Sequence, residues 1–314
     1  MSATPQPESA AVRRLTVTDI ARMHADGERI PMLTAYDYPT AKILDEAGIP
    51  LLLVGDSLGR AMLGYENELS VTMDDMLHHA AAVTRGARHA VVVGDMPFLS
   101  YATPEDALKN AGRFIHDAKV QAVKVEGGVR SARVIDALVR AGIPVMSHIG
   151  LTPQSANAIG KFRVQGKTRD QARTLLHDAL AVQEAGAFSV VLELVPEQLA
   201  AAITERLGIP TIGIGAGAGC SGQVQIITDL LGLEAWHPKH AKPYVNLRET
   251  IAGAVQAYAA DVAAGTFPGA EQTVRMDDVV LDEVLGRSPL DAAGTADRSS
   301  ANMPAGGIPL DRDL

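Results

Sequence analysis

Cysteine is almost absent. Cys220 stands alone in 314 residues, so no disulfide can form within the chain, which fits a reducing compartment. A core of the size this chain can build needs no such staple. No run of ~18 uncharged apolar residues occurs, which excludes a membrane-spanning helix. Residues 1–16 lack the apolar stretch that makes a signal peptide. Basic residues are outnumbered, 28 against 37 acids, for a net charge of −9, and no basic cluster breaks that balance. Such a chain is a poor partner for nucleic-acid phosphates. An anionic small molecule remains open as a substrate, provided that the site brings its own positive charge.

What the chain does have is alternation. Short apolar runs that read as strands buried on both faces fall near 31–36, 51–55, 90–95, 121–126, 143–148, 188–193 and 209–214, with a weaker one near 224–228. Between them lie segments of helical period: 39–48, 72–85, 103–118, 131–141, 168–185 and 196–207. Thr16 or Thr18 is placed to cap an earlier helix ending near Asp26. Thr103-Pro104-Glu105 has the form of an N-cap followed by proline. Three helices end in Ala-Gly, at Gly48, Gly142 and Gly186, as glycine C-caps do. About eight β/α alternations predict a (β/α)8 barrel, with a doubly wound open sheet as the other arrangement. Residues 1–14 read as a flexible start, 15–268 as one barrel domain, and 269–314 as a largely disordered extension in which Met276–Leu285 can form a short helix or an arm.

An acid recurs where these strands end. The runs finishing at Val54-Gly55, Gly94, Val125 and Leu192 are followed by Asp56, Asp95, Glu126 and Glu193. A parallel barrel opens its active site at that face. Asp56, Asp95 and Glu126, from successive strands, are oxygen ligands of the kind a hard divalent cation takes; the competing reading is that each caps a helix or pairs with a lysine. Lys124 lies two residues before Glu126 and therefore shares its face of the strand, as a counter-charge, a structural partner of Glu126, or both. Glu193 is a candidate general base or a helix-cap carboxylate. His148 ends the fifth run, as a substrate contact or a hydrogen-bonded structural histidine. The pairs His78-His79 and His237/His240 lack partners at metal-ligand spacing and read as surface or packing residues. Gly217-Ala-Gly219-Cys-Ser-Gly222 matches a dinucleotide fingerprint, but the acid expected ~20 residues later is missing, which favours a tight loop after the seventh strand where the backbone can approach a ligand closely, or only a turn.

Six segments in order make the pattern specific: Thr34-Ala-Tyr-Asp-Tyr38, Val54-Gly-Asp-Ser-Leu-Gly59, Gly94-Asp-Met-Pro-Phe98, Val123-Lys-Val-Glu-Gly-Gly128, His148-Ile-Gly-Leu-Thr-Pro-Gln154 and Gly213-Ile-Gly-Ala-Gly217. Together they resemble the ketopantoate hydroxymethyltransferase family over about residues 15–268. The resemblance implies a barrel of the phosphoenolpyruvate/pyruvate-binding type and a cytoplasmic homodecamer of two pentameric rings. It implies hydroxymethyl transfer from 5,10-methylenetetrahydrofolate to 3-methyl-2-oxobutanoate, giving 2-dehydropantoate on the way to pantothenate and coenzyme A. By the same resemblance, Asp56, Asp95 and Glu126 would hold one Mg²⁺ per subunit. Asp56, Ser57, Asp95, Lys124 and His148 would contact the 2-oxo acid, and Glu193 would accept its proton. The sequence departs from the family pattern at Lys119-Val120, Ser147, Ser221 and His240, none of them a proposed ligand or base. Lys119 is strained if its turn needs a positive φ. The alternatives are a carbon–carbon lyase or phosphonomutase of the related barrels, whose characteristic cysteine context Cys220 lacks, and a non-catalytic scaffold, which has no need of the acid set.

Overall fold

A computed structural model of the chain describes residues 13–287 except residue 161. The flexible start and loose tail expected for residues 1–12 and 288–314 lie outside the described residues. Eight parallel strands close into a barrel in sequence order: β1 (Ile30–Thr34), β2 (Leu51–Val54), β3 (Val91–Asp95), β4 (Ala122–Glu126), β5 (Val145–Gly150), β6 (Ser189–Glu193), β7 (Thr211–Ile214) and β8 (Gly222–Gln225). The barrel expected from the alternation is therefore the fold, and the open sheet is not.

The strand runs are continuously apolar because each strand serves two cores. Leu51, Leu53, Val91 and Val93 point into the barrel with Met32, Met146, Val191 and Ile212. Leu52, Val54 and Val92 point outward, into the larger core beneath the helices. This is the period-two alternation of a strand, with both faces dry. Ile20, on the N-terminal helix Val17–Ala25, packs with the inner set. Thr16, not Thr18, caps that helix, in a capping box with Asp19. Arg14 was assigned to the flexible start, yet it donates to the Gln121 side chain at 3.0 Å and to the carbonyl of Ala87.

The weakest strand reading is also the one that moved. The apolar pattern suggested 224–228, but β8 spans Gly222–Gln225 and residues 227–230 turn into a helix. A Cβ on Gly222 would stand 2.2 Å from the Ile30 carbonyl oxygen. Glycine is thus what lets β8 approach β1 closely enough to close the barrel, and a glycine beside two glutamines carries little apolar signal. Lys119 does adopt a left-handed φ of 61°, as its position before β4 suggested.

The described residues divide into two compact units between Thr250 and Ile251. That division falls inside the helix Leu247–Ala264. In the second unit Tyr258 meets Phe267 edge to face at 5.4 Å, and a short helix spans Asp278–Val284, within the segment read as a helix or an arm.

Candidate active site

Barrel register brings the strand-end residues side by side. Asp95 pairs with Lys124 across β3 and β4, Glu126 with His148 across β4 and β5, and Gly150 with Glu193 across β5 and β6. Asp56 follows β2 and donates its backbone N–H to Asp95 Oδ2 at 3.2 Å. Asp56, Asp95, Lys124, Glu126 and His148 are all buried, at 1–4% exposure. Only the Glu193 side chain keeps appreciable access, at 17%.

Lys124 Nζ donates to both oxygens of Asp95, at 2.6 and 2.7 Å, and stands 4.0 Å from Glu126 Oε1. Its principal partner is therefore Asp95, on the neighbouring strand, and Glu126 comes second. His148 lies between two carboxylates: Nδ1 is 3.4 Å from Glu126 Oε1 and Nε2 is 3.2 Å from Glu193 Oε2. Its geometry is that of a bridge between Glu126 and Glu193. Neither ring nitrogen, nor Glu126 Oε1, has a well-formed hydrogen bond.

The electrostatics follow from crowding acids in a dry space. Burial, and then the neighbouring Asp95, raise the Asp56 carboxyl well above the usual range. Burial works against the Lys124 ammonium, but Asp95, Glu126 and Asp56 together outweigh it and raise its pKa. Burial and Lys124 likewise oppose a charged His148, yet the close carboxylates of Glu126 and Glu193 prevail, lifting the imidazole to about 9. Burial pushes the Tyr36 phenol up to about 12. Its hydroxyl lies 2.9 Å from Ser57 Oγ, which places Ser57 at the edge of the group.

Local backbone supports this placement. Gly150 has φ +96°, and a Cβ there would stand 2.3 Å from the Glu193 carbonyl oxygen. Leu194, directly after Glu193, adopts φ 48° without being glycine, a costly conformation held by bonds from its N–H to Ile214 O and from Gln165 N–H to its carbonyl. The glycine-rich segment 217–222 folds into the β7–β8 connection, where a Cβ on Gly217 would collide with Glu197. His79 Nδ1 donates to the Tyr36 carbonyl, 2.6 Å away, in the packing role expected of it.

Three residues without an assigned role join the group. Gln154 hydrogen-bonds Asp56 and Glu126, and Tyr101 bonds Gln154 in turn. Glu68 is buried in a 3₁₀ turn with one oxygen unpartnered. Burial raises its pKa, and the charges of Glu193 and Glu126 add to the effect. No spacing rule points to these three, since their partners are distant in sequence.

Among the described residues, no three His, Cys, Asp or Glu side chains converge closely enough to enclose an ion directly. The donor set nevertheless fits a hydrated divalent cation. Mg²⁺ keeps several waters and is usually held by one or two carboxylates plus substrate. Asp56, Asp95 and Glu126 are all-oxygen donors facing Lys124, which leaves excess buried negative charge and an unpartnered Glu126 oxygen.

Residues 14–270 match the sequence profile of the ketopantoate hydroxymethyltransferases. A 3-methyl-2-oxobutanoate hydroxymethyltransferase of Chloroflexus aurantiacus is 60% identical over 274 residues, covering 87% of this chain and 97% of that protein. One from Enterococcus faecalis is 54% identical over 259 residues, covering 82% and 94%. Among solved structures, phosphoenolpyruvate phosphomutase from Streptomyces platensis subsp. rosaceus superposes with a TM-score of 0.55 at 15% identity, covering 89% of this chain and 98% of that one. That likeness concerns the barrel alone.

Proposed function

The chain belongs to the ketopantoate hydroxymethyltransferase family, and from that premise we propose that it transfers a hydroxymethyl group to 3-methyl-2-oxobutanoate with Glu193 as the base. The one-carbon donor is 5,10-methylenetetrahydrofolate and the products are 2-dehydropantoate and tetrahydrofolate, in pantothenate and coenzyme A biosynthesis. The observation that carries the reading is the run of register pairs joining the buried acids to Glu193 through His148.

The substrate must lose its single C3 proton, and a carbon next to a ketone is a weak acid. Asp56, Asp95 and Glu126 would hold Mg²⁺, which as a Lewis acid favours the enolate of the bound 2-oxo acid. Glu193 takes the C3 proton, a role supported by its being the most accessible of these acids. His148, with Nε2 3.2 Å from Glu193 Oε2, orients that carboxylate. Lys124, with Ser57 nearby, offsets the charge of an anionic substrate in an acidic chain. In the overall balance the C3–H bond breaks and a C3–carbon bond forms. The methylene carbon leaves the folate nitrogens, and water supplies the hydroxyl.

The phosphonomutase and lyase alternatives share the barrel, whereas the family match covers the residues of the site as well. Family membership also supports a cytoplasmic homodecamer. The apolar Ile251, Val255, Tyr258 and Val262, exposed on one helix, are the sort of surface an assembly covers. The decisive experiment is an assay for tetrahydrofolate-dependent formation of 2-dehydropantoate, with and without Mg²⁺. No product from the 2-oxo acid and methylenetetrahydrofolate with Mg²⁺ present would refute the assignment.

A further inference from the structure

Gln154 spends its hydrogen bonds on the acids, not on its own loop. It sits in the 3₁₀ turn Pro153–Ser155 after β5, with 5% exposure. Its Nε2 donates to Asp56 Oδ2 at 2.7 Å and to the carbonyl of Met96, the residue after Asp95, at 2.9 Å. Its backbone N–H donates to Glu126 Oε2 at 3.1 Å. One residue thereby ties together the ends of β2, β3 and β4.

The direction of the amide is forced. Turned over, Oε1 would face the Met96 carbonyl oxygen, an acceptor with no proton to share. Tyr101 enforces the same choice from the other side. Its hydroxyl donates to Gln154 Oε1 at 2.5 Å and accepts from the Glu126 backbone N–H at 3.3 Å. A chain of donors thus runs from the Glu126 backbone through Tyr101 and Gln154 to the Asp56 carboxylate. The circuit begins at one acid and ends at another.

We propose that Gln154, its amide turned by Tyr101, is the positioning residue that fixes Asp56 and Glu126 relative to each other and so sets the geometry in which the site takes its cation. This rests on the reading of Asp56 and Glu126 as metal-holding acids. A carboxylate that lacks such a bond is free to swing, and partners of this kind behind a metal ligand are worth about 10- to 100-fold in metal affinity or activity. The role differs from ordinary loop packing, because a packing residue would affect melting temperature and leave affinity alone.

The test uses the full chain and three proteins: wild type, Gln154→Met, which keeps the volume and loses the donors, and Tyr101→Phe, which removes only the hydroxyl. Mg²⁺ and 3-methyl-2-oxobutanoate binding are measured separately by calorimetry, alongside melting temperature. We expect Q154M to bind Mg²⁺ about 10- to 100-fold more weakly, and Y101F to lose less, with its fold retained. Should Q154M fail to fold, Y101F carries the test. Mg²⁺ affinity within twofold of wild type in the folded variants would overturn the proposal. Wild type that takes up no Mg²⁺ would instead refute the metal assignment. In that case the 2-oxo acid decides for Gln154: weakened binding in the variants supports its role, and equal binding overturns it.

Discussion

Lys124→Met is the sharpest test of the charge arrangement. The substitution keeps most of the side-chain volume and removes the one ammonium bonded to Asp95, leaving a carboxylate with 2% side-chain exposure and no cation in contact. Asp95 would keep only the Asp56 N–H at 3.2 Å. Removing one partner of a buried ion pair costs about 3–5 kcal/mol, because the other charge stays behind without compensation. For a barrel of this size, each kcal/mol shifts the melting temperature by about 2–4 °C, so the variant should melt roughly 6–20 °C below wild type. Mg²⁺ should recover part of the loss, since an ion bound only by the folded site stabilises it by mass action. The double variant Asp95→Asn/Lys124→Met removes the stranded charge and should be more stable than Lys124→Met alone, although still inactive. Calorimetric or denaturant unfolding of the four proteins in the cycle measures the coupling. A Lys124→Met protein within about 1 kcal/mol of wild type, with its melting temperature little changed, would refute the claim that Lys124 compensates a buried acid.

Three further outcomes follow from the same geometry. Glu193→Gln should still bind Mg²⁺ and the 2-oxo acid but lose exchange of the C3 proton with solvent, read by proton NMR in deuterium oxide; undiminished exchange would rule out Glu193 as the base. His148 titrates near 9 in the fold against 6.5 as a free side chain, so its contribution to stability is complete below about pH 6.5 and lost as pH rises through 9. Unfolding of the metal-free protein across that window should show the decline, and His148→Gln should flatten it. Lys119→Gly should stabilise the protein by about 0.5–1 kcal/mol, since relief of a left-handed side chain at φ 61° exceeds the added entropy of glycine in the unfolded chain. Its activity should be unchanged, and a lower melting temperature would contradict the strain argument.

The barrel was legible because burial on both faces leaves continuous apolar runs, and seven of them stand within a few residues of where they were expected. β8 was the poorest reading, for closure there depends on the absence of a side chain at Gly222. The acids were legible for a related reason: a charge that interrupts an apolar run has few structural explanations. Their pairing was only partly so. Lys124 and Glu126 share a strand, and spacing connects them, whereas Lys124 and Asp95 meet across 29 residues through register alone. Gln154 reaches Asp56 across 98 residues, and a glutamine in a Thr-Pro-Gln turn carries no chemical signature of its own. Glu68 was hidden by its setting, an acid in a polar stretch that gives no hint of burial.

The division of the site between strands has a practical corollary. Asp56, Asp95, Lys124 and Glu126 all precede Gly142, and His148, Gln154 and Glu193 all follow it. Gly142 itself is an open turn at φ +82° with nothing near its Cα–H. A chain cut there would yield one fragment with every acid proposed to hold the cation and another with the proposed base and the histidine beside it. The two would regain chemistry only by re-forming both seams of the barrel, the β8–β1 ladder and the β4–β5 ladder in which Glu126 stands beside His148. Enzymatic turnover would then report docking of the two halves, making this barrel a natural candidate for a split-protein reporter.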